Sequence, residues 1–389
     1  MWLVIAVLVV AGVAAGSLWI YATGRYPQSE PDPQAVDHAG STRTISEAPL
    51  GPRVRTHAGW SGQELLVWSG VEPGGGTDEA FDVVDDGAAY DPTTDSWREL
   101  PPAPISGRAS AVAVWAGDRL VVWGGFSGPD KAFDDGAAYL PDEDTWVQLP
   151  SAPITGRGDA TAVWTGHEVL IVGGAERVGR PGRVSGLRRD GAAYDPVANQ
   201  WRILPPIPDG IWQLRDRGVG PIRERFAGTW TGEALFVWGR DIALYDPGAD
   251  AWERVTAPRT SMWLGSRITA IRIGDQVAVI GLAHRDDPET FGITYRPATG
   301  AFGTVPGLSS RVVMSGPRQI AAAGGLVVLL GAEPASAARW RPGTTTWRSI
   351  PADLVRGLEA AVVWTGDELL IWGGSDGSGP RTDGIAWTP

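Results

Sequence analysis

The stretch DGAAYDPTTDSWRELPPAPISGR, residues 86–108, is written again almost letter for letter as DGAAYLPDEDTWVQLPSAPITGR at 135–157. A third copy opens as DGAAYDPVANQWRILPPIP at Asp190. This recurrence constrains the fold more than any other feature. A sequence that repeats itself about every 50 residues is built from modules that cannot bury their own faces singly and must pack on one another. Each unit has the same parts in order. An Arg leads into an apolar run that ends in Trp. A tight turn follows, then a second apolar run ending in Gly-Gly, a variable loop and the DGAAY segment. A turn rich in Pro, Asp and Gly leads to a Trp and a closing Leu-Pro. In the second unit these parts are Arg108, ASAVAVW, AGD, RLVVWGG, FSGPDKAFDD, GAAYLP and TWVQLP. Four short runs bounded by turn residues read as four strands. Alternation close to period two in LLVWSG, LVVWGG and VLIVGG supports that reading.

The Trp of the fourth segment recurs at 97, 146, 201, 252 and 347, with Phe302 taking one place in the series. The second segment ends at Gly70, Gly125, Gly174, Gly239, Gly281, Gly331 and Gly374. There is thus one fourth segment fewer than there are second segments. The chain stops at DGIAWTP, one strand short of a full unit. The missing strand is found at the other end, where TRTISEAPLGPR (42–53) aligns without a gap on WRELPPAPISGR (97–108). Thr42 then takes the Trp position and Arg53 falls on Arg108. The expected fold is all-β: a seven-bladed β-propeller over residues 42–389, with the N-terminal segment supplying the outer strand of the last blade and closing the ring.

A period near 50, Gly-Gly closing the second strand, Tyr in the third and Trp in the fourth resemble the kelch repeat. The DP-turn-Trp pattern is similar to exported bacterial kelch propellers of the galactose-oxidase-like group. Units one to three match well, whereas units four to six are degraded. The resemblance implies a binding scaffold more readily than an oxidase, whose copper site in that family needs a cysteine crosslinked to a tyrosine beside histidine ligands. This chain has no Cys, and its four His (38, 57, 167 and 284) are dispersed. No cofactor is expected. The enzymatic alternative is an acidic-sugar-processing activity resembling sialic-acid mutarotase, for which no catalytic residue can be matched.

The formal charge of −12 disfavours a nucleic-acid partner, which needs a basic footprint. No G-x-S-x-G, H-E-x-x-H or P-loop pattern is present. Residues 1–23 carry no charged side chain, enough for one bilayer-spanning helix. The chain therefore divides into a membrane anchor or signal segment (1–24), a Pro-rich acidic linker (25–41) and the propeller (42–389). The reading favours an uncleaved anchor with a monomeric propeller outside the cytoplasm.

The connectivity puts the repeated turns on one face and the variable loops on the other, as expected of a scaffold that presents binding loops. Two features there suggest an anionic protein, peptide or glycan partner. One is the Arg seven residues before the Trp of the innermost strand in the first four units: Arg53, Arg108, Arg157 and Arg223. These arginines either bond neighbouring loop carbonyls or ring the channel mouth. The other is the Arg-rich connections 175–190 and 205–225, with Arg183, Arg188, Trp212 and Arg215.

Overall fold

The structure, a computed structural model, describes residues 40–72, 82–128, 131–179, 183–211, 227–258, 268–281, 290–307, 319–330, 337–351, 354, 359–375 and 379–389. The segment expected to anchor the chain lies outside them. Among the described residues no helix is long and apolar enough to cross a membrane.

The described residues form seven four-stranded antiparallel sheets, the blades of a β-propeller. Blade 1 takes His57–Trp60, Leu65–Val71, Val83–Asp91 and Ser96–Glu99 in order from the centre outward. Blades 2 to 6 repeat that order, beginning at Val112, Thr161, Ala227, Thr269 and Gln319. Blade 7 runs Ala361–Trp364, Leu369–Trp372, Gly384–Thr388, and its outermost strand is Ser41–Ile45. Thr42 stands opposite Trp387 and Ile45 opposite Gly384. The innermost strands lie side by side all the way round, that of blade 7 against that of blade 1.

The second strand of every blade is buried, and apolar residues interdigitate between each pair of neighbouring sheets. The repeated letters have local reasons. The Tyr of strand three faces the Trp of strand four, with ring centroids 5.1 Å apart for Tyr90 and Trp97 and 5.0 Å for Tyr194 and Trp201. The indole N–H of that Trp crosses the seam to the carbonyl closing the preceding blade. Trp146 donates to Pro101 (3.0 Å), Trp201 to Pro150 (2.9 Å), Trp252 to Pro205 (2.8 Å) and Trp347 to Pro306 (2.7 Å). Trp97 donates in the same way to Ser46 (2.9 Å), which stands in blade 7 where Pro101 stands in blade 1. The spacing from Trp to Leu-Pro is thus a hydrogen-bond distance between blades.

A second seam device lies on the face of the short turns. Arg98, next to Trp97, grips Glu64 of its own blade with Nε and Nη2 (2.9 and 2.7 Å). Its Nη1 reaches the Tyr139 hydroxyl and Asp144 of blade 2 (2.9 Å each). Arg202 does the same between Glu168 and blade 4, through Tyr245 and Asp250. Arg43 joins Glu368 of blade 7 to Tyr90 of blade 1. Between blades 2 and 3 the set is exchanged as a whole. Val147 replaces the Arg, Arg119 stands in the Glu position and pairs with Asp118, and the Tyr194 hydroxyl donates to Asn199.

Candidate functional site

The opposite face carries the connections between strands two and three. The approach to it is set by consecutive left-handed glycines at the end of strand two, such as Gly124 (φ 73°) and Gly125 (φ 96°). A side chain at Gly125 would fall 2.8 Å from the Ala109 carbonyl, so only Gly fits. In blade 1 Ser69 takes the first glycine's place with φ 58°. Its hydroxyl accepts from the Arg108 amide (2.9 Å) and lies 2.6 Å from the Val84 carbonyl.

The arginines that lead into the innermost strands sit directly beneath this face. Arg53, Arg108 and Arg157 are 0, 0 and 1 % exposed. Arg53 forms a bidentate pair with Asp86 (2.6 and 3.1 Å) and donates from Nε to Gly51. Arg157 does likewise with Asp190 (2.8 and 3.0 Å) and also bonds the Thr155 and Gly173 carbonyls. Arg108 reaches Asp135 (2.8 Å) and the Ser106 and Gly124 carbonyls, and stacks on Phe133 at 4.2 Å. Its Nη2 makes no hydrogen bond. The main chain of the same residues ties back to the blade before. Gly374 donates to the Arg53 carbonyl, Gly125 to that of Arg157, and both Ser69 and His57 meet that of Arg108. Each arginine therefore holds strand three of its own blade with its side chain and the preceding blade with its carbonyl. The three guanidiniums are each closed within their own blade rather than gathered at one mouth. Their aspartate partners remain part-exposed and were not singled out from sequence, although the Arg and the Asp of DGAAY recur in phase.

The Arg-rich connection of blade 3 forms a hairpin, Ala175–Gly179 paired with Arg183–Leu187, in which Arg183 stands opposite Gly179. Arg188 pairs with Glu176 and Arg189 with Asp209. A smaller hairpin, Phe126–Gly128 with Lys131–Ala132, rises from blade 2, and the two lie against one another. Trp212, Arg215 and Arg223 lie outside the described residues.

The electrostatics of this face are those of locked ion pairs. The Arg157 hydrogen bonds hold the Asp190 carboxyl below the usual range against its burial, and Arg188 does the same for Glu176. Among the described residues every carboxyl group with a displaced pKa is displaced downward. None of these is poised to give up a proton near neutral pH, as a general acid must be. Nor does any group of three or more His, Cys, Asp or Glu among them have the arrangement of a metal site. His57 is buried and bonded to Arg108, and His167 lies in a short turn on the other face.

No protein-family model matches the chain, and no curated protein matches it. Among solved structures it is similar to a fungal alcohol oxidase with catalytic diversity among the AA5 family, in complex with copper. The two share 15 % identity, with a TM-score of 0.62, over 90 % of this chain and 77 % of that one. At that identity the likeness shows the propeller fold and nothing of the chemistry.

Proposed function

We propose that this chain is a kelch-type binding scaffold, carried at a membrane by residues 1–24, that presents the strand-two-to-three connections of blades 2 and 3 to a protein or glycan partner outside the cytoplasm. The observation that carries the reading is the pair of adjoining extra hairpins on one face, departures from the repeat that the ring itself does not need. Repeat scaffolds hold their framework constant and vary the loops on the binding side. The buried arginines serve the framework, so recognition falls to the hairpins and to the connection 205–225. Copper chemistry of the neighbour's kind does not fit the residues present: the chain has no Cys, and the two described histidines lie on different blades and faces.

The test is a glycan and acidic-ligand binding screen run beside capture from envelope extract. Wild type is compared with a variant whose hairpin 176–187 is cut to a two-residue turn. Loss of binding with an unchanged melting temperature is the expected result. Binding indifferent to that hairpin and to substitutions in 205–225 would overturn the reading.

A further inference from the structure

The clamp that Arg98, Arg202 and Arg43 build across their seams is missing between blades 4 and 5, and what replaces it is not a closed contact. The position after Trp252 holds Glu253 where the clamp has Arg. The Glu position before strand two holds Ala234, and the Asp position five residues beyond Tyr295 holds Gly300. The tyrosine alone is kept. Tyr295 is 3 % exposed, and its hydroxyl, which in Tyr139 and Tyr245 meets both an Arg and an Asp, has no hydrogen-bond partner among the described residues. Glu253 stands opposite Leu244, which packs in the same apolar seam as Tyr295. Burial raises the Tyr295 pKa, and the Glu253 charge adds to the rise.

The space left open is a groove of about 410 Å³ between the two turns of blade 4, lined by Glu233, Ala234, Leu244, Asp246, Trp252 and Glu253. Three carboxylates thus stand at a half-buried indole. Arg272 of blade 5 lies over Gly232 and donates from Nε to its own turn at Gly274, while Arg202 and Arg254 are held by Glu168 and Asp241. A carboxylate beside an idle phenol and an aromatic face is a donor-seeking set, suited to a planar cation.

We propose that this groove binds a guanidinium supplied in trans, an arginine side chain of a partner protein. That side chain donates to Glu253 and to the Tyr295 hydroxyl, at the seam position that Arg202 fills between blades 3 and 4. The overall charge of −12 favours a basic partner of this kind. The site lies on the turn face and is independent of the hairpin surface proposed above.

The experiment titrates the full chain at low salt with acetyl-Gly-Arg-Gly-amide, following tryptophan fluorescence, beside the citrulline and lysine analogues. The arginine peptide should saturate, with citrulline and lysine each roughly tenfold weaker, reflecting the lost charge and the lost fork. E253Q should weaken the arginine peptide about tenfold at an unchanged melting temperature, and Y295F about threefold. The pair E253R and A234E, which writes the clamp back into the seam, should abolish binding and raise the melting temperature. Absence of saturation, equal binding of the three peptides, or an E253Q protein that binds as wild type would each overturn the proposal. E253Q decides the matter even where the double variant does not fold.

Discussion

His57 opens the inner strand of blade 1 with 5 % of its surface exposed, and its one hydrogen bond runs from Nε2 to the Arg108 carbonyl at 3.0 Å. A carbonyl only accepts, so Nε2 carries the proton and the ring is neutral. Burial first, and then the Arg108 charge, push its pKa down to about 4 against the pull of that hydrogen bond. The unfolded chain titrates near the ordinary value of about 6.5. Between those two values the unfolded state binds the extra proton. Stability therefore falls as the pH drops through that window and levels off below it, by about 3 kcal/mol from this group. Urea midpoints measured from pH 7 to pH 4 should show the slope. H57Q, whose amide can still donate to Arg108, should be flatter across the same range. An H57Q protein with the wild-type slope would assign the acid sensitivity to other groups. Nothing in the sequence marks this histidine off from the other three, because its burial is made by the next blade. The repeated Arg is the converse case. Its phase was plain, and the same spacing served equally for a ring of free guanidiniums and for buried hubs. Only the aspartate at the head of strand three, in phase with it, distinguishes the two.

At the scale of the strand, the devices that join blades separate into those the sequence spells and those it conceals. The Trp and the Leu-Pro of the repeat are legible because each of the first three units contains both at one spacing, which the indole bonds to Pro101, Pro150 and Pro205 explain. The arginine clamp was not legible. Glu64, Arg98 and Asp144 sit in or beside turns where charged residues are ordinary, and two blades must meet before the three become one network. Its exchange between blades 2 and 3 argues that the set acts as a unit, since Asn199 appears where the Asp has no Arg to answer. The clamp is part-exposed, so each one contributes modestly. R98A should lower unfolding stability by about 1 kcal/mol, and the loss should shrink in 1 M salt. In a double-mutant cycle R98A and Y139F should couple by about 0.5 kcal/mol or more, because the guanidinium loses an acceptor in either variant. Strict additivity would mean that the guanidinium and the hydroxyl are neighbours without being partners.

At the scale of the whole molecule the question is what keeps a ring of sheets from opening. Each blade is fixed to the next by a buried apolar seam, and six of the seven seams join blades that follow one another directly in the chain. The seventh brings the two ends of the propeller together, and there the outermost strand of blade 7 comes from Ser41–Ile45. That segment has the attachments of an ordinary fourth strand. It pairs with Gly384–Thr388, offers the Ser46 carbonyl to Trp97 and sends Arg43 between Glu368 and Tyr90. Its Ile45 and the nearby Leu50 are buried in the seam with Tyr90 and Trp372. Deleting residues 41–46 should therefore do more than remove one strand. It would leave Gly384–Thr388 as an open edge, free the Trp97 indole and strip apolar cover from the blade 7–blade 1 seam together. The deletion variant should melt well below wild type and aggregate as the edge finds partners in other copies. R43A, which removes only the clamp, should cost about 1 kcal/mol. The two variants together separate closure by the strand from closure by the ion pairs. A deletion variant with the wild-type melting temperature would mean that the inner-strand contact between blades 7 and 1 holds the ring shut without the N-terminal strand.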